Sequence, residues 1–191
     1  MRRVNPYIIG SDQDNYFIHL ARYMFCARQL KKTDIVLEIG CGTGYGARLL
    51  SDFASEVYAL DQDKTLGKSW EHFEKNNLQF IKKIPKIKFD IIVSYEVVEH
   101  ISEDKVDYFL HTIKQHLKPT GCLFISTPRA LPMKERSKNR QLEHKKEYSP
   151  NEFRHLLEKY FSRVFLFAQN DSVISYQNLK MAWNLVAICT F

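Results

Sequence analysis

The sequence alternates between short apolar runs and segments with helical spacing, and this alternation limits the folds that are open to the chain. Five apolar runs are typical of strands, at residues 35–39, 56–60, 77–84, 89–98 and 122–127. Segments with helical spacing precede, separate or follow them, at residues 14–30, 47–53, 64–75, 102–117 and 149–160. Parallel strands need crossover connections of this kind. The sequence therefore predicts an α/β fold with a parallel sheet covered on both faces.

The end of the chain departs from this alternation. The runs RVFLFAQ (163–169) and WNLVAICTF (183–191) are both strand-like, and no helix of ordinary length fits between them. We therefore expect these two strands to pair antiparallel. The residues SPNE at 149–152 form a capping box with proline at the first helical position, which predicts where the preceding helix begins.

The first predicted strand leads directly into a glycine-rich turn, GCGTGYG, at residues 40–46. Ligands of open α/β sheets bind at the carboxyl ends of the strands, and glycine lets the backbone approach a ligand closely. Asp61 ends the second strand, 21 residues after Gly40. A carboxylate at that place can accept both hydroxyls of a ribose. The turn and Asp61 together indicate a nucleoside-like ligand.

Two other interpretations of the turn stay open at this point. A dinucleotide fingerprint, GxGxxG/A, fails at Tyr45 when it is counted from Gly40 and fits from Gly42 only with Ala47. A nicotinamide oxidoreductase also commonly carries a separate catalytic domain, for which 191 residues leave little room. The plainest interpretation is a tight turn that serves packing alone.

Four motifs, in order and at suitable spacing, resemble those of class I S-adenosylmethionine-dependent methyltransferases. They are VLEIGCGTGYG, VYALDQD, FDIIVSYEVVEHI and LKPTGCLFISTPR. The resemblance covers most of the chain. It implies a three-layer, Rossmann-like sheet of seven mostly parallel strands with a reversed C-terminal β-hairpin, in a single domain over residues 1–191. The segment EHKKEYSPNEFRHLLEKYFSRVFLFAQ is similar to a branch that modifies sugars or polysaccharide precursors.

The resemblance also implies a cofactor, S-adenosylmethionine, which leaves as S-adenosylhomocysteine. An N-terminal helical cover over residues 1–32 is expected to close the site. The residues that the resemblance assigns to the cofactor are Glu38, Gly40, Gly42 and Gly44 around its amino acid part, Asp61 at the ribose, Gln62 at the adenine, Tyr95, Glu96 and Val97 near the methionine, and Tyr16 and Arg22 from the cover. Lys82 or Lys83 stands where the family usually has an acid near the adenine.

Methyl transfer from a sulfonium requires mainly that the protein aligns the two reactants. The methyl group of a sulfonium is already activated, so neither a metal nor a covalent intermediate is required, and holding the acceptor in line is the main contribution. A hydroxyl acceptor gains typically 10²–10⁴-fold from a positioned base. We consider three candidates for this catalytic role, each with a plainer alternative: His100 as a helix-start residue bonded to backbone, His144 as an exposed residue, and Tyr148 as a hydrophobic staple.

Most of the excess positive charge lies in one segment. In the segment 129–148, residues 129–146 hold seven lysines and arginines against two glutamates, and the whole chain has a net charge of +6. We expect this segment to be a mobile basic lid that attracts a phosphate-bearing acceptor, such as a nucleotide sugar or a phosphorylated sugar. The residues assigned to the acceptor are Arg129, Lys134, Arg136 and His144. A solvated loop is the alternative.

Composition narrows the remaining choices. The four cysteines are scattered with no CxxC pair, so no zinc site is indicated, and no apolar stretch approaches the ~20 residues of a membrane span. No signal-type apolar segment opens the chain, and we expect a cytoplasmic protein. A nucleic-acid module is not recognisable, so a nucleic-acid substrate is not expected. An RNA, DNA or protein methyltransferase and a cofactor-binding partner subunit without turnover are the alternatives.

Overall fold

The structure is a computed structural model that describes residues 13–191, with side chains from Asn15 onward. The first twelve residues of the expected N-terminal cover lie outside the described part. The helices are α1 (Gln13–Ala27), α2 (Tyr45–Leu50), α3 (Gly67–Trp70), α4 (Glu103–His116), α5 (Lys138–Glu143) and α6 (Pro150–Glu158). The strands are β1 (Ile35–Ile39), β2 (Glu56–Leu60), β3 (Leu78–Ile81), β4 (Phe89–Tyr95), β5 (Leu117–Pro128), β6 (Arg163–Asn170), β7 (Val173–Ser175) and β8 (Asn184–Thr190).

The strands form one sheet with the order β3-β2-β1-β4-β5-β8-β6-β7. The five strands from β3 to β5 are parallel. β8 runs antiparallel to both of its neighbours, so that Val186 pairs with Ser126 of β5 and Phe167 of β6. The predicted parallel sheet and the predicted antiparallel pairing of the last two long runs are both confirmed. The order reverses between β1 and β4, which places a binding crevice at the carboxyl ends of these strands.

The expected count of seven strands is one too low. After β6 the chain turns tightly at Asp171, which has a φ of +56°, and pairs back on β6 as β7. Three residues are too few to show the alternation of apolar and polar side chains by which strands are found in a sequence. The pattern of the sequence therefore does not predict β7.

Apolar side chains pack on both faces of the sheet. Neighbouring residues of one strand point to opposite faces, as Val36 and Leu37 do in β1. Val36 joins a cluster with α1 and α2, whereas Leu37 joins the cluster that holds α4 and α6. The three-layer architecture follows from this alternation of buried residues.

Several predicted boundaries shift when the chain folds. The segment 64–75, predicted as a helix, consists of three short turns at Lys64–Leu66, Gly67–Trp70 and Glu71–Phe73. Helix α4 begins after Ser102, as predicted, but it leads straight into β5, so Pro119 and Gly121 lie in a strand. The capping box at Ser149 is confirmed, since Ser149 and Glu152 exchange side chain to backbone hydrogen bonds.

Within residues 13–191, no helix has the length and apolar character that crossing a bilayer requires.

Candidate active site

The glycine-rich turn after β1 has a shape that only glycine permits at two positions. Gly40 and Gly44 have φ values of +82° and +93°. A Cβ atom on Gly40 would lie 2.3 Å from Cγ2 of Val97, and one on Gly44 would lie 2.8 Å from the Phe80 ring. Both the backbone conformation and the space therefore exclude other residues.

The Asp61 carboxylate fastens this turn to the end of β2. Its Oδ2 accepts the Gly42 N–H at 2.9 Å, and its Oδ1 accepts the Asp63 N–H at 2.9 Å. The Leu60 carbonyl accepts the Gly40 N–H at 2.7 Å, and the Trp70 indole N–H donates to the Gly42 carbonyl at 2.9 Å. The turn and Asp61 thus meet at one edge, as the sequence predicts.

A cleft of about 1050 Å³ opens beside this turn. It borders seven residues that the sequence singles out, namely Gly40, Asp61, Gln62, Lys82, Glu96, Val97 and His100. The volume is at the upper end for a site that encloses a small ligand. A carboxylate at the rim, a glycine backbone without Cβ atoms and a largely apolar wall fit an adenosine bearing an amino acid chain.

Glu38 supports the turn from beneath and does not border the cleft. Its side chain is 1% exposed, and its Oε1 accepts the Tyr23 hydroxyl at 2.5 Å. Burial raises the pKa of Glu38 to about 7, against the opposing effect of the Tyr23 hydrogen bond. The structure therefore places Glu38 behind the glycine turn, where it fixes α1 against β1.

Arg22 and Tyr95 are likewise buried and link α1 to the sheet. The Arg22 guanidinium donates to Oε1 of Gln169 at 2.8 Å and lies 3.8 Å from Oε1 of Glu96. The Tyr95 hydroxyl donates to the Arg22 carbonyl at 3.1 Å. These contacts hold α1 over the ends of β4 and β6. Tyr16 packs edge-on against the ring of Tyr45, with ring centroids 5.3 Å apart.

Glu96 follows β4 in a left-handed conformation, with a φ of +56°. Its Oε1 accepts the Ser126 hydroxyl at 2.7 Å, and its side chain borders two cavities. Burial, followed by the nearby charge of Glu96, raises the pKa of Glu99 well above its usual value. Non-glycine residues in this conformation cluster at functional sites.

A second, smaller pocket of about 360 Å³ adjoins the cleft across Glu96. Its wall comes from α1, from the segment after β5 and from the start of β8, and includes His19, Arg140, His144 and Asn184. The Tyr45 hydroxyl and Nδ1 of His19 are 3.1 Å apart, and burial, followed by the charge of Arg22, lowers the pKa of His19 well below its usual value. Sequence reasoning missed His19 because its spacing is that of an ordinary amphipathic helix.

The basic segment 129–148 is folded about a buried acid. It contains a turn at Met133–Glu135 and the helix α5. The Glu147 carboxylate, which is fully buried, contacts Nε of Arg136 at 3.1 Å, Nε of Arg140 and Nδ1 of His144 at 2.8 Å. Burial opposes the ionisation of Glu147, yet the hydrogen bonds from Arg140 and His144 hold its pKa below the usual value.

Two of the basic residues that the sequence assigns to the acceptor donate hydrogen bonds to backbone carbonyl groups. Arg129 donates its Nε to the Ala182 carbonyl at 2.6 Å, and Arg136 donates to the Leu131 carbonyl at 2.8 Å. Both residues, which the sequence assigns to the acceptor, thus make hydrogen bonds to the protein itself, and their role at an acceptor stays a prediction. Lys134 and Lys138 are exposed. Lys145 is exposed as well. The segment therefore has defined contacts around Glu147 and three exposed lysines, and its motion as a lid stays a prediction.

The three catalytic candidates have different surroundings. His144 borders the smaller pocket and His100 borders the cleft, with their rings 5.0 Å apart at 82°. Tyr148 is only 4% exposed and packs on Phe153, four residues into α6, with ring centroids 6.0 Å apart. It is the hydrophobic staple of that helix and borders neither cavity. The structure places Tyr148 in a packing position, and its catalytic role stays a prediction.

The fold and the cleft together define the class of protein. An open α/β sheet with this strand order, a glycine turn after β1 and an acid after β2 is that of the class I S-adenosylmethionine-dependent methyltransferases. Residues 13–166 match the family described as "Methyltransferase domain", and the chain belongs to that family. Proteins of this family use S-adenosylmethionine.

Curated relatives match the chain over about two thirds of its length. A probable S-adenosylmethionine-dependent methyltransferase of Mycolicibacterium smegmatis is 30% identical over 128 residues, which are 63% of this chain and 49% of that protein. A ubiquinone biosynthesis O-methyltransferase of Bradyrhizobium diazoefficiens is 30% identical over 138 residues, which are 66% of this chain and 52% of that protein. The chain thus spans about half the length of these relatives.

Solved structures share the fold across nearly the whole chain. The DhpI-SAM-HEP complex is 18% identical, with a TM-score of 0.66 over 94% of this chain and 96% of that one. The methyltransferase domain of bacterial CtHen1-CN is 16% identical, with a TM-score of 0.68 over 91% of this chain and 100% of that one. At these identities the likeness shows the fold alone.

Proposed function

We propose that this chain transfers the methyl group of S-adenosylmethionine to a hydroxyl oxygen of a small acceptor. The observation that carries the proposal is the pair of adjoining cavities, a large cleft at the glycine turn and a smaller polar pocket, which share Glu96 and Glu143. A methyl donor in the first and an acceptor in the second would meet across this boundary. One relative named as an O-methyltransferase supports the choice of oxygen.

The residues of the chain would divide the work between binding and alignment. The Asp61 carboxylate lies where it can accept the ribose hydroxyls, and Gln62 borders the same end of the cleft. The bound cofactor supplies a methyl group on a positively charged sulfur. The Glu96 side chain, held by Ser126, lies on the line between the two cavities and can favour that positive charge. Alignment of this kind supplies much of the rate.

The His100–His144 pair is the group that we assign to the acceptor's proton. Nδ1 of His144 contacts the Glu147 carboxylate and Nδ1 of His100 contacts the Glu143 carbonyl, so both Nδ1 atoms donate, since both partners are acceptors. The Nε2 atom of each ring then carries the lone pair. This is the orientation by which a buried carboxylate prepares a histidine to take a proton.

The residues that border the smaller pocket limit the class of acceptor. Polar side chains of His19, Arg140, His144 and Asn184 border the smaller pocket, which suits a hydroxylated acceptor. A phosphate-bearing sugar or a nucleotide sugar remains within the proposal through the exposed Lys134 and Lys138. The volume of about 360 Å³ suits one sugar or one aromatic ring at a time.

The test is product analysis with an isotopically labelled methyl donor. The protein and labelled S-adenosylmethionine are incubated with separate panels of sugar phosphates, nucleotide sugars, phenols, amines, short RNA and proteins, and the products are read by mass spectrometry. Label on the oxygen of a small molecule supports the proposal. Label only on RNA, protein or nitrogen, or cofactor binding with no labelled product from any panel, contradicts it.

A matched pair of variants ties the product to this site. Asp61→Asn weakens the cofactor site, and we expect its labelled product to fall by at least about tenfold because a charged hydrogen bond is worth ~1.5–3 kcal/mol. Asp107→Asn changes an acid on α4 that contacts Tyr160 and borders neither cavity. Equal product from both variants would assign the activity to a contaminant.

A further inference from the structure

Three side chains with metal-ligating atoms meet at the boundary between the two cavities. Potential ligand atoms of Glu99, His100 and His144 all lie within 4.8 Å of one another. Glu99 and His100 belong to the turn Val98–His100 after β4, whereas His144 follows α5. Backbone hydrogen bonds from Lys145 and Lys146 to the Glu99 carbonyl join the two segments at this point.

Glu99 is buried without the partner that a carboxylate needs. Its side chain is 1% exposed, and neither carboxylate oxygen makes a hydrogen bond of ordinary distance and angle among residues 13–191, although the Thr127 hydroxyl is close enough to favour the ionised form. Nε2 of His100 is also buried without a partner in the same part of the chain, and it lies 3.9 Å from Oε1 of Glu99. Buried carboxylates are normally paired or coordinate a metal, because the loss of their hydration is costly.

Both histidines are held in the way that metal-binding histidines are held. Nδ1 of His100 is 3.1 Å from the Glu143 carbonyl oxygen, and Nδ1 of His144 is 2.8 Å from Oε1 of Glu147. Ligating histidines almost always donate their other ring N–H to a carbonyl or a carboxylate, which fixes the ring and its tautomer. The Nε2 lone pairs are then left for a cation.

We propose that Glu99, His100 and His144 bind one divalent transition-metal ion. Two imidazoles and one carboxylate favour ions such as Mn²⁺, Co²⁺ and Zn²⁺ over Mg²⁺ and Ca²⁺, which prefer sites made of oxygen alone. Three protein ligands also leave coordination positions for a ligand that is not part of the protein. No local pattern predicts this site, because His144 lies far along the chain from Glu99 and His100.

The position of the metal site between the two cavities indicates what the ion would do in the reaction. His100 borders the cleft and His144 borders the smaller pocket, so the ion would lie between the methyl donor and the acceptor. A divalent ion polarises a hydroxyl that binds to it and lowers the pKa of that hydroxyl. This use rests on the proposed function, whereas the binding of the ion does not. The histidine pair would then act on the proton through the ion.

The experiment measures metal binding directly on the whole chain. The protein is freed of metal with a chelator and titrated with Mn²⁺, Co²⁺, Zn²⁺ and Mg²⁺ by calorimetry, with electron paramagnetic resonance as a second readout for Mn²⁺. We expect one site per chain, and affinity for Mg²⁺ at least about tenfold below that for Zn²⁺, as the ligand set requires.

Variants separate this site from adventitious binding. His144→Asn and Glu99→Gln should lose the site, and Glu147→Gln should weaken it by about 10–100-fold because it removes the group that orients His144. His111→Asn and Glu103→Gln, which change exposed residues on α4, should bind as the wild type does. Binding of S-adenosylhomocysteine reports that each variant is folded, and His144→Asn alone suffices if Glu99→Gln does not fold.

The outcomes are distinct. One-site binding that His144→Asn abolishes and His111→Asn retains supports the proposal. Failure of the wild type to bind any of the four ions, or binding that His144→Asn retains, overturns it. Metal binding without methyl transfer to any small hydroxyl contradicts the proposed function and leaves the metal site standing. Full methyl transfer in the chelator-treated protein overturns the use of the ion and leaves the proposed function standing.

Discussion

The two sides of the candidate active site are built in different ways. On the cofactor side, the backbone conformation shapes the site. Gly40 and Gly44 are left-handed, and the Asp61 carboxylate accepts backbone N–H groups. On the acceptor side, side chains define the site: Arg140 and His144 converge on Glu147 within one segment, and residues from α1 and β8 join them at the smaller pocket. The first arrangement depends on the backbone of one turn and on Asp61, which binds it, and the second depends on which side chains the fold brings together.

This difference bears on how each side responds to substitution. A backbone turn tolerates almost no added atoms, because there is no rotamer by which a Cβ can move away. A cluster of side chains can lose one member and rearrange, at the cost of an unpaired charge. We therefore expect a single substitution in the glycine turn to weaken cofactor binding strongly. A single substitution in the acceptor-side cluster should have a smaller effect.

The largest expected effect is on the cofactor side. Gly40→Ala places a Cβ 2.3 Å from Val97 at a φ of +82°, and the strain and the overlap should weaken S-adenosylhomocysteine binding by about 100-fold. Gly67→Ala also borders the cleft, but its Cβ meets nothing within 4 Å. Calorimetry of both variants checks the prediction. A loss of affinity for Gly67→Ala as large as that for Gly40→Ala would show that added volume, and not the turn, sets the affinity.

The next effect is on the acceptor side. Glu147→Gln leaves Arg136, Arg140 and His144 without their anion, and we expect the free energy of unfolding to fall by about 2 kcal/mol. Cofactor affinity should change little. Because the pKa of Glu147 is lowered in the folded chain, its contribution is present above about pH 4.3 and is lost as the pH falls through the folded value.

Chemical denaturation of Glu147→Gln and the wild type at pH 7, pH 4 and pH 3 measures this contribution. Glu135→Gln, an exposed acid in the same segment, is the matched control and should unfold as the wild type does. A difference between Glu147→Gln and the wild type that persists unchanged at pH 3 would show that the carboxylate charge is not the cause.

A smaller effect concerns the loss of stability at acidic pH. The pKa of His19 is well below its usual value in the folded chain, so below about pH 6.5 the unfolded chain takes up a proton that the folded chain does not. The free energy of unfolding should therefore fall as the pH drops from 7 to 5.5, by about 1 kcal/mol or about 2–4 °C in Tm.

His19→Gln should flatten that part of the stability profile. His155→Gln, on the exposed face of α6, should retain it. Thermal unfolding of the three proteins between pH 5.5 and 7.5 compares them. A slope that His19→Gln and the wild type share would assign the acid sensitivity to another group.

The smallest expected effect tests the outward lysines of the basic segment. Lys134 and Lys138 are exposed, so their joint replacement by Gln should raise the KM of a phosphorylated acceptor by only about threefold, and less at high salt. The KM of an uncharged acceptor should stay the same. Lys105 and Lys159, exposed on other helices, provide the control pair. An equal KM for the phosphorylated acceptor in both double variants would remove phosphate from the proposed acceptor class.

Much of the cofactor side could be predicted from the sequence. Local rules suffice there: an apolar run predicts β1, glycines after it predict a turn with positive φ, and Asp61 follows the next strand. Gly40, Asp61, Gln62, Glu96 and Val97 all border the cleft as expected. Glu38 and Arg22 do not, because their burial depends on how α1 packs, which no local pattern specifies.

The acceptor side was poorly predicted for the same reason. Seven positive charges in residues 129–148 indicate a mobile basic lid or a solvated loop, but Glu147 contacts two of the arginines and a histidine as a buried carboxylate. The charge count gave no sign of this, because a single acid becomes decisive only when folding removes it from water. His19 and Glu99 were missed for want of any local pattern.

The sequence by itself determined the class of fold, the order of strands and helices, and the position of the glycine turn, because hydrophobic periodicity and glycine conformation act over a few residues. Only the tertiary structure decided which charges face inward and that Glu99 and His100 meet His144. Those outcomes depend on contacts between residues far apart in the chain, whose energies are set by burial and the loss of water.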